Sequence, residues 1–448
     1  MRYGESDIER LNTPVDYRNS LKVGMSDIEL EAMKMQVLEI KSPQIYGIQQ
    51  GGSVTSIPVV HNGFVFFSSA DSLLYCLNLD GTEKWKFQTG GVLTSMPVIK
   101  NNVLYFGSFD GWLYAVDVSG KLLWKYDTGS QIAASPCLSS NAIYFGSKNG
   151  NMYSLSYSGE LLWKFQTGDS IGNEANCSNG MIYIGSYDGY FYALSEKGEF
   201  RWRVQIGHAT SSPATYKDHI YFSAFDSNFY KLDLTGKIIW KYNLGTPTAQ
   251  ISLPIIIDGF IYFGSMDGHV YCLSTDGKLV WKFDTKDMIT CRLHIEKDII
   301  YFGAANSKFY AVNRHTGELL WSKNMDGPIV AGCTIHNNVI YVGCYYCHLH
   351  AISVNGGEEL WKFQTSSRAP ATVDISEKKL NVKRVVKEAE LSQMAPLSQL
   401  FYSSRKISQL TSGNVYNMGS GENKGYLGSI NKDYAGKIRK HGTKGYMV

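Results

Sequence analysis

The segment Cys344-Tyr345-Tyr346-Cys347-His348-Leu349-His350 concentrates sulfur and imidazole within a chain of 448 residues. Thiolate and neutral imidazole are ligands for zinc-type metals. Cys344, Cys347 and one of His348 or His350 would supply three donors, with no fourth evident from the spacing. Two thiols separated by two residues are also suited to redox exchange. By spelling alone, Cys-x-x-Cys-His is the attachment motif of c-type haem, which needs an exported chain. The remaining reading is a drifted hairpin that carries two thiols. A second set of polar residues, Asn173, Glu174 and Arg292, falls among small side chains. A guanidinium with a carboxylate and an amide in a narrow space would hold a polar ligand or a peptide end, or would form an internal ion pair in a wet channel.

Both sets sit inside a repeat. Tryptophans stand at Trp85, Trp124, Trp163, Trp202, Trp240, Trp281, Trp321 and Trp361, and a glycine precedes each by four places, from Gly81 and Gly120 through to Gly317 and Gly357. Spacings near 40 residues with strand and turn signals mark a propeller array. In the second repeat, Met96–Ile99, Val103–Gly107, Trp112–Val116 and Leu122–Tyr126 read as four short strands, with Asp110-Gly111 as a tight hairpin. Such a blade cannot bury both faces alone, so it must stack on its neighbours. A buried indole hides roughly 150–250 Å², or about 4–6 kcal/mol of apolar transfer before entropy. Eight equivalent tryptophans therefore predict an all-β, eight-bladed β-propeller of four-stranded antiparallel blades, with boundaries near 50–89, 90–128, 129–167, 168–206, 207–244, 245–285, 286–325 and 326–365.

If the first strand of each blade lines the axis, aligning those strands gives the column Ser56, Ser95, Ala134, Asn173, Ser211, Ser252, Arg292 and Ala331. The next column is Ile57, Met96, Ser135, Glu174, Ser212, Leu253, Leu293 and Gly332. Asn173, Arg292 and Glu174 are the polar exceptions. At the first hairpin seven blades carry Asp or Asn followed by Gly or Ser, from Asp71-Ser72 to Asn306-Ser307. The eighth carries Tyr346-Cys347.

The patterns Ala115-x-Asp117-x-x-Gly120-x-x-x-Trp124 and Ala311-x-Asn313-x-x-x-Gly317-x-x-x-Trp321 resemble the tryptophan-docking repeat of the PQQ-like β-propellers. That WD40-like family includes quinoprotein alcohol dehydrogenases and the propeller lipoprotein of bacterial outer-membrane assembly. The resemblance covers about residues 50–365 and implies the fold; one fold hosts many functions. A quinoprotein dehydrogenase is expected to carry two adjacent cysteines under the quinone and acidic metal ligands. This chain has no adjacent cysteines, no His-x-x-x-His and none of the long insertions that build such a site.

The flanks differ from the blades. Residues 1–49 hold the capping pattern Ser26-Asp27-Ile28-Glu29, and Ile28, Ala32, Met35 and Leu38 lie near one face of a helix expected over 26–39. Arg368–Val373 resembles one further first strand that would help close the ring. Residues 376–448 hold 13 Lys/Arg against 5 Asp/Glu. A short helix over 382–395 and a flexible, basic, tyrosine-bearing tail are expected there, which would stay solvated or bind an acidic protein or nucleic acid. No apolar run long enough for a signal or a membrane span is present, so a cytoplasmic, monomeric propeller is expected. Cys76, Cys137, Cys177, Cys272, Cys291 and Cys333 read as small buried thiols in a reducing compartment. Together these features favour a non-catalytic scaffold that binds a protein or peptide through its faces, channel or tail, without a cofactor. The alternative is an oxidoreductase or ligand-binding module holding PQQ, another quinone or a metal in the propeller.

Overall fold

The computed structural model describes residues 52–207, 211–245 and 253–365. The helices expected over 26–39 and 382–395, the strand expected over 368–373 and the basic tail lie outside these residues. Two units divide the chain, Met1–Ala371 and Thr372–Val448, and the described residues all belong to the first.

Four consecutive strands make each blade. Blade one comprises β1 (Val59–His61), β2 (Phe64–Ser68), β3 (Leu73–Asn78) and β4 (Glu83–Gln88), hydrogen-bonded in that order. The pattern repeats to β32 (Glu359–Gln364), giving eight antiparallel four-stranded sheets in a ring and no helix among the described residues. In blade two the observed strands are β5 (Val98–Lys100), β6 (Val103–Gly107), β7 (Trp112–Asp117) and β8 (Leu122–Asp127), close to those read from alternation alone. First strands approach one another from blade to blade: β5 meets β9 (Cys137–Leu138), β9 meets β13 (Asn176–Ser178), and β1 meets β29 (Cys333–His336). They are therefore the innermost strands. Middle strands are almost wholly buried, whereas β8 and its equivalents alternate exposed and half-buried positions, as a rim strand with one covered face must.

The tryptophan of each blade docks on the glycine of the next. Trp124 Nε1 donates to Tyr157 O at 3.0 Å, and Trp85, Trp163, Trp202, Trp240 and Trp281 repeat the bond one blade on. Gly159 has φ +89°, and a Cβ there would lie 2.7 Å from the Trp124 ring. Both demands, left-handed backbone and no side chain, select glycine. The same joint closes the ring: Trp361 Nε1 donates to Leu79 O at 2.9 Å and its indole covers Gly81. Val54 N–H donates to Cys344 O at 3.2 Å, and the Thr334 hydroxyl donates to Pro58 O. Blades eight and one thus share the tryptophan–glycine joint of the other blade pairs.

A second device repeats at the hairpin between second and third strands. The Tyr114 hydroxyl donates to Asp110 Oδ2 at 2.7 Å, and Asp110 also accepts from the N–H of Gly90, on the connection from β4 to β5, at 2.8 Å. Tyr75–Asp71, Tyr192–Asp188, Tyr230–Asp226 and Tyr271–Asp267 repeat the bond, and Asn149 and Asn306 donate to Tyr153 and Tyr310 instead. Seven blades carry this latch. It satisfies a buried phenol and pins the hairpin at once.

Candidate functional sites at the hub and in blade eight

The inner strands enclose two adjoining cavities of about 590 and 140 Å³. Met96, Ser135, Glu174 and Arg292 line both. Arg292 Nη1 lies 4.0 Å from Glu174 Oε2, with the side chains 38% and 30% exposed. Glu174 belongs to blade four and Arg292 to blade seven, so the pair bridges the hub. With this much exposure the attraction is weak, below ~1 kcal/mol, and both groups remain open to a ligand. Lys100 also lines the larger cavity, but its ammonium donates to Ser139 O, Ser140 O and Tyr157 Oη at 2.6–2.9 Å.

The structure corrects the expected column by one residue in blade seven. Ser56, Ser95 and Ser211 are buried, and their hydroxyls accept the backbone N–H twelve residues on, at Ser68, Gly107 and Ser223. In blade seven the residue so bonded is Cys291: Gly303 N–H donates to its sulfur at 3.3 Å. A thiol substitutes for the hydroxyl, and Arg292 moves into the cavity-facing column beside Met96, Ser135, Glu174 and Ser212, displacing Leu293, which is buried. Asn173 sits in the serine column, twelve residues before Gly185, and does not line either cavity.

Cys137 and Cys177 are also corrected. They are half-buried, line the larger cavity and are joined as a disulfide with Cα atoms 6.3 Å apart. Neighbouring inner strands bring them together, a juxtaposition invisible to a strand-by-strand reading. Cys76, Cys272, Cys291 and Cys333 are buried thiols, as expected; burial pushes the Cys76 and Cys272 thiols up to about 12.

In blade eight, Cys344 ends β30 (Val339–Cys344), and His348 and His350 lie on β31 (His348–Ser353). Cys344 pairs with His348 across the strands, and His350 is two residues further along, so all three project from one face. Cys344 Sγ and one nitrogen of each histidine lie within 4.8 Å of one another, the one such donor group among the described residues. Cys344 and His350 are buried, while His348 is 21% exposed. Burial raises the Cys344 thiol to about 11 and lowers His350. Cys347 does not join the group. It adopts φ +66° at the turn, and its surroundings are Thr365 and Asp71 of blade one. The two thiols of the Cys-x-x-Cys spelling are not bonded to each other.

Sequence reasoning missed two members of this neighbourhood. Asp326, on the connection from β28 (Leu319–Asn324) to β29, places Oδ2 3.5 Å from His348 Nδ1 and 3.8 Å from His350 Nε2. Glu359 Oε2 lies 2.9 Å from His350 Nδ1. The signal lay in the tyrosine column: His350 stands where the other seven blades have the latch tyrosine. Another spelling, Gly168-Asp169-Ser170-Ile171-Gly172, matches the Gly-x-Ser-x-Gly elbow, but it lies on a strand-to-strand connection rather than a strand-to-helix turn.

With this architecture in view, the family described as outer membrane protein assembly factor BamB matches over residues 41–167, 148–281 and 266–391. The chain belongs to this family of PQQ-like propellers. Among solved structures, the computationally designed protein Ika8 is similar at 17% identity, covering 71% of this chain and 98% of its own, with a TM-score of 0.59. BamB from Moraxella catarrhalis is similar at 18% identity over 68% of this chain and 95% of its own, with a TM-score of 0.56. Quinohemoprotein alcohol dehydrogenase from Comamonas testosteroni follows at 14% identity over 68% and 72%, with a TM-score of 0.57. At these identities the likeness is one of fold. No curated protein matches the sequence.

A tricarboxylate quinone fits the hub poorly. Among the described residues it would meet one guanidinium, Arg292, already beside the Glu174 carboxylate, and Lys100 has its donors committed to carbonyls and a phenol. No three-donor metal group lines the cavities among the described residues. Nor is any described helix long and apolar enough to cross a membrane.

Proposed function

We infer that this propeller is a non-catalytic binding platform whose hub receives an extended, acid-bearing segment of a partner protein. The observation that carries the reading is Arg292, which stands with Glu174 in an open cavity of about 590 Å³ otherwise lined mostly by small or apolar side chains. A guanidinium opposite a partner carboxylate makes the stronger, charge-assisted class of hydrogen bond. Glu174 fixes polarity, since it repels a second acid and accepts a backbone or lysine N–H. A rigid ring of blades supplies a preformed cleft, so little ordering cost is charged against binding. The family description, that of an assembly factor, is consistent with protein contact rather than turnover.

The test is to pan a displayed library of random peptides against the full chain. Enriched sequences are expected to carry Asp or Glu at one fixed place, and Arg292→Ala is expected to weaken them about tenfold, the value of one good charged hydrogen bond. Enrichment without an acidic position, or affinities unmoved by Arg292→Ala, would refute the assignment.

A further inference from the structure

Blade eight departs from the repeat at several positions, and three of them, Cys344, His350 and Asp326, meet in space beside His348. The latch pair is gone: Tyr346 stands for the Asp or Asn, and His350 stands for the tyrosine. Cys344 occupies the position held elsewhere by Ser69, Ser108, Ser147, Ser186, Ala224, Ser265 and Ala304. Asp326 occupies the position of Gly90, Gly129, Gly168, Gly207, Gly245 and Lys286. Gly90 and Gly168 lie on the connections that lead into blades two and four, and their N–H groups reach the latch carboxylates Asp110 and Asp188, so a side chain at this position points toward that latch. Independent drift would scatter such changes. Here a thiol, an imidazole and a carboxylate replace one hydrogen-bonded pair and its surroundings, beside His348, whose counterpart in blade six is His269.

Hydrogen bonding does not account for the cluster. His350 Nδ1 faces the Glu359 carboxylate at 2.9 Å, which places the proton on Nδ1 and leaves a lone pair on Nε2. That Nε2 is buried and has no hydrogen-bond partner among the described residues, and the same is true of His348 Nδ1. Both nitrogens instead face the Cys344 thiol and the Asp326 carboxylate without a hydrogen bond to either. Loss of the one thiol proton turns the group into two imidazole nitrogens, a thiolate and a carboxylate around one point, which is what a cation requires. A histidine whose far nitrogen is held by a carboxylate is the usual outer-sphere arrangement at zinc.

We propose that Cys344, His348 and His350 bind a divalent transition-metal ion of the zinc type, with Asp326 closing the fourth position and Glu359 orienting His350. For bonds of about 2.0–2.3 Å in a tetrahedron, ligand atoms stand roughly 3.3–3.8 Å apart. The Asp326–imidazole distances of 3.5 and 3.8 Å already fall there. The sulfur and imidazoles, within 4.8 Å, need a small inward adjustment. Asp326 is 40% exposed and tied to Lys362 Nζ at 3.1 Å, so it can turn toward the ion at little cost. One sulfur, two nitrogens and one oxygen suit zinc, cobalt or nickel, not the oxygen-only preference of magnesium or calcium. Binding exchanges the thiol proton, released to solvent, for a sulfur–metal bond, and both histidines stay neutral. The ion would tie the connection from blade seven into blade eight, beside the closure of the ring.

The experiment strips the purified full chain with chelator and titrates it with Co2+ alone. The proposal expects one equivalent bound, with intense visible bands of tetrahedral cobalt and a near-ultraviolet thiolate-to-cobalt band, both bleached by Zn2+. Cys344→Ser removes the thiolate band, Cys347→Ser leaves it unchanged, and Asp326→Asn weakens binding about 10–100-fold, as removal of a ligand or its support does. A double variant, Tyr346→Asp with His350→Tyr, rebuilds the latch of the other seven blades; it is expected to fold and to bind no cobalt, so the test survives if Cys344→Ser does not fold. Absence of tetrahedral bands in the wild type, their persistence in Cys344→Ser or in the double variant, or their loss in Cys347→Ser would overturn the site.

Discussion

Replacing Gly159 by alanine should cost far more than replacing Gly129, although both have left-handed backbones. Gly159 has φ +89° and a Cβ would meet Trp124 Cδ2 at 2.7 Å; Gly129 has φ +72° and open space within 4 Å. The shared backbone penalty is about 1–2 kcal/mol for an L-residue in that region. At Gly159 the indole must also retreat by roughly 1 Å, which adds an overpacking cost of about 1–3 kcal/mol. It stretches the Trp124–Tyr157 bond as well, worth about 0.5–1.5 kcal/mol. Gly159→Ala is therefore expected to lose about 2.5–6.5 kcal/mol and Gly129→Ala about 1–2, a gap of about 1.5–4.5 kcal/mol drawn from a total of about 5–15. Urea denaturation followed by tryptophan fluorescence reads the gap directly, since the moved indole is itself the reporter. Equal midpoints for the two variants would show that the glycine serves only the turn, and the docking account of the ring would fail.

Three further outcomes follow from other joints. Cys291→Ser places in blade seven the hydroxyl that Ser56, Ser95 and Ser211 supply elsewhere, so it should change stability by less than about 1 kcal/mol, whereas Cys291→Val, which cannot accept from Gly303 N–H, should cost about 1–3 kcal/mol by the same denaturation assay. Burial pushes Tyr105, Tyr192, Tyr221 and Tyr345 up to about 12, against about 10 when unfolded. The native state then holds more protons than the unfolded chain across that window, so stability is fully present below pH ~10 and falls as pH rises toward ~12; melting temperatures that stay level across that window would contradict this. Peptide mapping of alkylated, unreduced protein should recover Cys137 linked to Cys177, with Cys76, Cys272, Cys291 and Cys333 alkylated after denaturation; alkylated Cys137 would remove the bridge.

Much of the architecture was legible because a propeller writes one instruction eight times. The Gly–Trp spacing, the alternation in Trp112–Val116 and the Asp110-Gly111 turn are local signals, and they became β7, its hairpin and the docking joint. Illegible features all required two segments to be compared in space. The one-residue slip at Cys291 and Arg292 arose because a cysteine plays a serine's part, which side-chain size alone does not reveal. Cys137 and Cys177 are brought together by the ring, not by spacing. In blade eight the missing hairpin Asp is visible in the sequence, whereas His350 gains meaning only beside the tyrosine latch of the other blades, and Asp326 arrives from the connection after blade seven. The Cys-x-x-Cys spelling drew notice to Cys347, whereas strand pairing selects Cys344 with His348 and His350.

The hub assignment is tested most directly by photo-crosslinking in the native cell. p-Benzoylphenylalanine is placed at Met96, which lines both hub cavities, and separately at Leu162, 52% exposed on the rim. A partner-protein adduct formed from position 96, absent from position 162 and lost on adding Arg292→Ala, is the predicted result. Adducts from the rim position alone, or hub adducts indifferent to Arg292, would contradict the claim that the centre of the wheel is where this protein binds.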